Sequence, residues 1–88
     1  MDEKIQKILE EKIHESISKG NEVTSLVKSL GHIENPNVFG RGIIIGRLYN
    51  SFYYQSRRIL NRSPTDDEFY EFVKLLKEHK NELENSFS

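Results

Sequence analysis

The chain has no cysteine, no alanine and no tryptophan among its 88 residues. Without cysteine, disulfide bridges, thiolate catalysis and cysteine-ligated metal are excluded. No run approaches the roughly 18 consecutive apolar residues that a membrane helix needs, so we expect neither a membrane span nor a membrane partner. The acidic start, MDEKIQK, lacks the apolar core of a secretion signal, which predicts a cytoplasmic protein.

Acidic residues are also missing from one internal stretch, residues 41–62, which carries every arginine of the chain. Residues 1–40 have seven acids and five lysines, a net charge of −2, and residues 63–88 have seven acids and three lysines, a net charge of −4. The total of −1 therefore hides a segment of +5 between two acidic ones. Because the guanidinium group is a planar fork of donors that suits phosphate and carboxylate, this segregation predicts an anion-binding surface.

The spacing of apolar residues predicts four helices and no strand. They run from about Asp2 to Lys19, from Glu22 or Val23 to Leu30, from Val38 or Arg41 to Asn61, and from Ser63 towards the C-terminus. Gly20 and Gly31 are expected to end the first two, since glycine reaches the left-handed capping conformation without a side-chain clash. We therefore predict an all-α fold, a small four-helix bundle forming a single domain over residues 1–88, with the long third helix at its centre.

The third and fourth helices show amphipathic patterns. On the third, one broad face predicts a core of Ile44, Ile45, Leu48, Tyr49, Phe52, Ile59 and Leu60. The fourth has two candidate starts: Ser63 as N-cap with Pro64 in the first helical position, or a capping box from Thr65 to Glu68. Its apolar stripe includes Phe69, Phe72 and Leu76.

The candidate site is the polar side of the third helix and its ends. It comprises Arg41, Arg47, Asn50, Ser51, Tyr54, Arg57, Arg58 and Arg62. Arginines can follow phosphates, asparagine can read a base edge, and tyrosine can stack on an unpaired base. Two alternatives stay open: the arginines are solvated or paired with the acidic helices of the same chain, or they bind an acidic partner protein.

A second candidate is a dimer seam on the same helix, formed by Gly42, Gly46, Tyr49 and Tyr53. Small residues four apart let two helices approach closely, and large aromatics are enriched at protein interfaces. The alternative is that both glycines belong to a loop before the helix begins. We expect a homodimer.

No catalytic, metal or cofactor site is expected. His14, His32 and His79 share no ligand spacing, and Asp66 and Asp67 fit helix capping better than acid–base catalysis. A helix-turn-helix built from the second and third helices is disfavoured, because their connection is too long. We expect a small non-enzymatic nucleic-acid-binding or regulatory protein, or alternatively a homodimeric adaptor or inhibitor that binds an acidic or apolar partner surface.

Overall fold

The computed structural model describes residues 1–86, and over this range the chain is helical throughout apart from short connections. The helices of that range are α1 (Glu3–Ser18), α2 (Gly20–Ser29), α3 (Pro36–Leu60), α4 (Asp66–Glu78) and α5 (Lys80–Asn85). The all-helical class and the long third helix are confirmed. Residues 87 and 88 of the predicted domain lie outside the described residues.

The fourth helix of the prediction is two helices in the structure. His79 adopts φ −105° and ψ 10°, outside the regular helical range, and separates α4 from α5. After this break α5 packs against α1 and buries Leu83. A stripe of apolar residues at helical spacing continues through His79, so the sequence pattern alone did not reveal the break.

The core lies where α3 packs on α1 and α2. Its buried apolar residues are Ile5, Leu9, Ile13, Val23, Val27, Ile44, Leu48, Phe52, Phe72, Leu75 and Leu83. Phe72 attaches α4 to this core, because its ring stacks on Phe52 of α3 with the ring centroids 4.5 Å apart. Within residues 1–86, none of the helices combines the length and the apolar character that crossing a membrane requires.

The start of α3 is earlier than the sequence predicts. Pro36 occupies the first turn of the helix, a position where its missing amide hydrogen has no helical partner to lose. Gly42 and Gly46 are therefore helical residues, and the interpretation that they belong to a preceding loop is wrong. Both are exposed.

The structure confirms some of the predicted helix ends and contradicts others. Gly31 and Asn61 adopt positive φ of 96° and 56° at the ends of α2 and α3. Gly20 does not cap α1 but begins α2, where a Cβ would lie 2.6 Å from the carbonyl oxygen of Ser86. Thr65 caps α4 in a reciprocal capping box with Glu68, so the alternative start is confirmed and a start at Pro64 is wrong.

The buried face of α3 is rotated from the predicted one. Ile45 and Tyr49 are 38% and 45% exposed, whereas Gln55 and Ser56 are buried. The rotation follows from α1 and α2 covering one side of the helix. The buried Ser56 hydroxyl donates to the carbonyl of Phe52 at 2.9 Å, so this polar side chain is satisfied inside the core.

Candidate nucleic-acid interface

A polar groove lies between α1 and α3, with a volume of about 250 Å³. Its lining residues are Lys12, Ser16, Arg47, Leu48, Asn50, Ser51, Tyr54 and Gln55. The predicted residues Arg47, Asn50, Ser51 and Tyr54 are thus brought together in one groove. Lys12 and Ser16 were missed, because only the packing of α1 on α3 places them there.

The two charged residues that line this groove, Lys12 and Arg47, are both positive, and Glu15 lies close to Arg47. The Arg47 Nη2 atom lies 3.8 Å from Glu15 Oε1, at the outer limit of an ion pair. Lys19 lies closer, with its Nζ atom 3.3 Å from the same oxygen. The hydrogen bond and charge of Lys19, then the charges of Lys12 and Arg47, lower the pKa of Glu15. One carboxylate therefore stands among three cations and does not neutralise them.

Two more arginines extend the surface towards the C-terminal end of α3. The Arg57 guanidinium lies 5.6 Å from the centre of the Tyr53 ring, a cation–π geometry. Arg58 donates two hydrogen bonds, of 3.0 and 2.8 Å, to Oε1 of Gln55. Over residues 1–86 neither forms an ion pair with a carboxylate. Both are exposed and oriented by neutral neighbours, so their charge remains available.

Arg62 has a different environment from these arginines. Its guanidinium donates to both carboxylate oxygens of Glu68, at 2.7 and 3.2 Å. The hydrogen bonds from Arg62 and from the Thr65 amide lower the pKa of Glu68 to about 2. Arg62 therefore ties the end of α3 to the start of α4.

Arg41 lies beside another groove, formed by α3, α4 and α5. Its Nε atom donates to the Asn37 carbonyl at 3.3 Å. Arg47 lies six positions after Arg41, which places them about 120° apart around a helix of 3.6 residues per turn. The eight predicted residues therefore do not form one continuous surface.

The predicted seam residues lie on the exposed side of α3. The rings of Tyr49 and Tyr53 meet edge to face with centroids 5.2 Å apart. Gly46, Tyr49 and Tyr53 border a shallow groove that also includes Asn50 and Arg57. The seam is thus accessible to a second chain, and the homodimer stays a prediction.

His14 and His79 meet with ring centroids 5.8 Å apart, although the sequence separates them widely, and His79 Nδ1 lies 3.3 Å from Glu82 Oε1. In the described part of the chain, no three histidine or acidic residues form a group that could hold a metal ion.

Residues 30–35 connect α2 to α3. This connection is longer than the turn of three or four residues in a helix-turn-helix.

Comparison with other proteins adds no assignment. No family model, curated protein or solved structure matches this chain. The polar groove, its charged residues and the exposed arginines beside it are therefore the features that indicate a function.

Proposed function

We propose that this protein is a small non-enzymatic, regulatory protein that binds nucleic acid through the polar groove and the adjoining end of α3. The observation that carries the proposal is the grouping of Lys12, Arg47, Asn50 and Tyr54 around one groove. Cations next to amide, hydroxyl and aromatic groups match the mixture of charge, polarity and stacking surface that a nucleotide chain presents.

The dimensions of the surface suit several nucleotides. Arg47 and Arg58 are eleven residues apart on one helix, about 17 Å at 1.5 Å per residue. Even at the close duplex spacing of about 3.4 Å between successive phosphates of one strand, this distance covers roughly five phosphate steps, and an extended single strand would place fewer along it. Lys12 adds a cation from a second helix, which widens the contact across the groove.

Tyr54 favours an unpaired base over a duplex. Its side chain is 58% exposed at the edge of the groove, next to Asn50 and Ser51. Stacking of one base on an aromatic ring contributes about 1–3 kcal/mol and requires that the base be free of its own stack. We therefore expect single strands to bind more tightly than duplexes of the same length, with DNA and RNA both as candidates.

The test is a binding titration by fluorescence anisotropy at several salt concentrations. Labelled single-stranded and duplex DNA and RNA are compared from about 50 to 200 mM salt, because counterion release makes the logarithm of affinity fall linearly with the logarithm of salt concentration. Binding that weakens steeply with salt, and weakens again in Tyr54→Ala, is the expected result. Absence of binding for all four probes at about 50 mM salt contradicts the proposal.

Arginine substitutions provide the matched control. Arg47→Ala with Arg58→Ala removes two candidate phosphate contacts and is expected to lower the salt slope by about 2. Arg62→Ala removes a guanidinium that Glu68 already engages, so the slope should stay as in the parent. A drop of about 1 in the salt slope of Arg62→Ala, half that of the double variant, would mean that total charge, rather than this surface, controls binding.

We also propose that two chains form a homodimer through the seam on α3. Gly42 and Gly46 expose the backbone of α3, and Tyr49 and Tyr53 offer aromatic surface beside them. Two copies packed through this seam would place two polar grooves on one particle. Light scattering at high micromolar concentration measures this directly, and a single-chain mass there would exclude the dimer.

A further inference from the structure

The groove beside Arg41 is apolar, unlike the one between α1 and α3. Its volume is about 240 Å³, and it opens between α3, α4 and α5. Its apolar lining consists of Ile44, Ile45, Val73, Leu76 and Leu83. These side chains come from three different helices, so the groove is a product of how α4 and α5 return onto α3. Val73 and Leu76 are only partly buried, which leaves apolar surface in contact with water.

The apolar surface continues along α3 beyond the groove. Val38, Gly42, Ile45 and Tyr49 follow at i, i+4, i+7 and i+11, which places them on one side of the helix. Val38 is 60% exposed, and a Cβ added at Gly42 would meet nothing within 4 Å. The stripe is about 17 Å long at 1.5 Å per residue, close to three turns of a helix lying alongside it.

Positive charge surrounds the groove. Arg41 from α3 and Lys77 from α4 stand at its edge, together with Lys80, while Glu84 is the one acidic lining residue. Within residues 1–86 none of the three cations forms an ion pair with a carboxylate. An occupant must therefore offer apolar groups to the floor and negative charge to the edge.

The shape and the charge separate three kinds of occupant. Small-molecule sites are typically enclosed clefts of roughly 300–1,000 Å³, whereas this groove is smaller and continues into an open stripe. A second copy docked through the same surface in a two-fold dimer would set cations against cations, since both partners of such an interface use one patch. An acidic amphipathic helix meets both requirements, because its apolar side chains fill the floor and its carboxylates reach the edge.

We propose that the groove between α3, α4 and α5 binds an acidic amphipathic helix of another protein. Ile45 and Leu76 contact its apolar anchors, and Arg41, Lys77 and Lys80 pair with its carboxylates. This inference does not rest on the polar groove or on nucleic-acid binding, since Arg41 is the only residue of the predicted nucleic-acid face that lines the apolar groove.

The experiment is an NMR titration of the full-length, ¹⁵N-labelled chain. The probe is a synthetic amphipathic peptide of about 15 residues, with leucines at i, i+3, i+4 and i+7 and mostly glutamate between them. Saturable shifts at the amides of Ile45, Val73 and Leu76 are expected, with Arg47 and Tyr54 unchanged. A peptide with lysine in place of glutamate should bind at least tenfold more weakly.

Variants of the chain locate the contact. Ile45→Glu, at a partly exposed position, should weaken peptide binding by roughly tenfold or more, as expected for a central apolar contact. Arg41→Ala should weaken it by roughly threefold, the range of an exposed charge pair. Leu26→Glu changes a similarly exposed aliphatic residue of α2 that does not line the groove, and it should leave binding unchanged.

Four outcomes would overturn the proposal. The first is the absence of saturable shifts at about 1 mM peptide. The second is equal binding of the lysine peptide. The third is saturation of the same amides by octanoate without any response to the peptide, which would assign the groove to a small anionic amphiphile. The last is a concentration-dependent shift of the Val73 and Leu76 amides, which lie outside the predicted dimer seam, in the chain alone; this would assign the groove to a second copy.

Discussion

The two grooves beside α3 have similar volumes, about 250 and 240 Å³, but opposite chemistry. The polar groove combines Arg47 with Lys12 and Ser16 of α1. The apolar groove combines Arg41 with Val73 and Leu76 of α4. Both arginines belong to the same basic segment, residues 41–62. What each can bind therefore depends on the helices that pack against α3 beside it. A cation among polar groups suits a phosphate chain, whereas a cation beside apolar surface suits an acidic amphipathic segment.

The largest expected effect is a loss of stability on replacing Phe72, the residue that attaches α4, one side of the apolar groove, to α3. Phe72 is buried and stacks on Phe52, so Phe72→Ala should lower the free energy of unfolding by about 3–5 kcal/mol. Phe72→Leu, which keeps most of the volume, should cost roughly 1 kcal/mol. Urea unfolding followed by circular dichroism measures both. A loss below about 1 kcal/mol in Phe72→Ala would mean that α4 is attached mainly by other contacts.

The two arginines should separate the two binding activities. Arg47→Ala is expected to weaken nucleic-acid binding by roughly tenfold at low salt and to leave the acidic peptide unaffected. Arg41→Ala should do the reverse, with a loss of about threefold for the peptide. Anisotropy titrations measure the affinity of each variant for the nucleic acid and for the acidic peptide, so the four losses can be compared. If either variant weakened both ligands equally, the two grooves would not be functionally distinct.

Outside both grooves, Arg62 should contribute to stability in a pH-dependent way. Its pairing with Glu68 holds the pKa of that carboxyl at about 2, below about 4.3 in an unfolded chain. Because the pKa is lowered by folding, the stabilisation is present above about pH 4.3 and is lost as pH falls towards 2. We expect about 1 kcal/mol, the range of a partly exposed pair with a helix cap.

Glu68→Gln is the matched variant for this measurement. Glutamine can preserve the capping box, because its side-chain oxygen still accepts from the Thr65 amide, but it cannot titrate. Thermal unfolding between about pH 2 and 6 should therefore show a smaller pH dependence in Glu68→Gln than in the parent. Identical pH profiles would contradict the assignment.

The smallest effects are expected on the outer face of α3, between the two grooves. Gly42→Ala and Gly46→Ala should each raise the free energy of unfolding of a single chain by up to about 1 kcal/mol, since alanine is the better helix former. Nothing lies within 4 Å of a Cβ added at either position. Gly20→Ala should instead destabilise the fold, because its Cβ would lie 2.6 Å from the Ser86 carbonyl oxygen.

The same glycines test the predicted seam. If two chains pack through Gly42 and Gly46, Gly46→Leu should weaken self-association while the single chain remains folded, because leucine is also a good helix former. Light scattering and circular dichroism on the same samples separate the two effects. Unchanged association in Gly46→Leu would exclude this glycine from the contact.

Helix spacing was the most informative signal in the sequence. Together with local capping signals, it predicted the helical class, a long third helix and, as one of two alternatives, the capping box at Thr65, because these depend on residues close together in the chain. It was wrong about the start of α3 and about Ile45 and Tyr49 as core residues. Those depend on which side of α3 its neighbours cover, and an amphipathic pattern with aromatic residues around most of the helix leaves that choice open.

The candidate site was predicted in part for the same reason. Spacing along one helix placed Arg47, Asn50, Ser51 and Tyr54 on one side, and the structure brings them into one groove. No local pattern marks Lys12 as their neighbour, since the two helices meet only after folding. The pairing of Arg62 with Glu68 falls under the alternative that arginines pair with the acidic helices of the same chain, but which arginine pairs depends on the turn between α3 and α4.

By itself, the sequence determined that this protein is helical and that four of its five arginines lie on one long helix between acidic segments, with the fifth, Arg62, directly after it. Both properties are local, because periodicity and composition along the chain specify them. Only the tertiary structure decided that three of the arginines lie in different surroundings: Arg47 lines a polar groove, Arg41 lines an apolar groove, and Arg62 forms an ion pair with Glu68. Side chains on one helix point in different directions, and the partner that each meets is chosen by how the other helices pack around it.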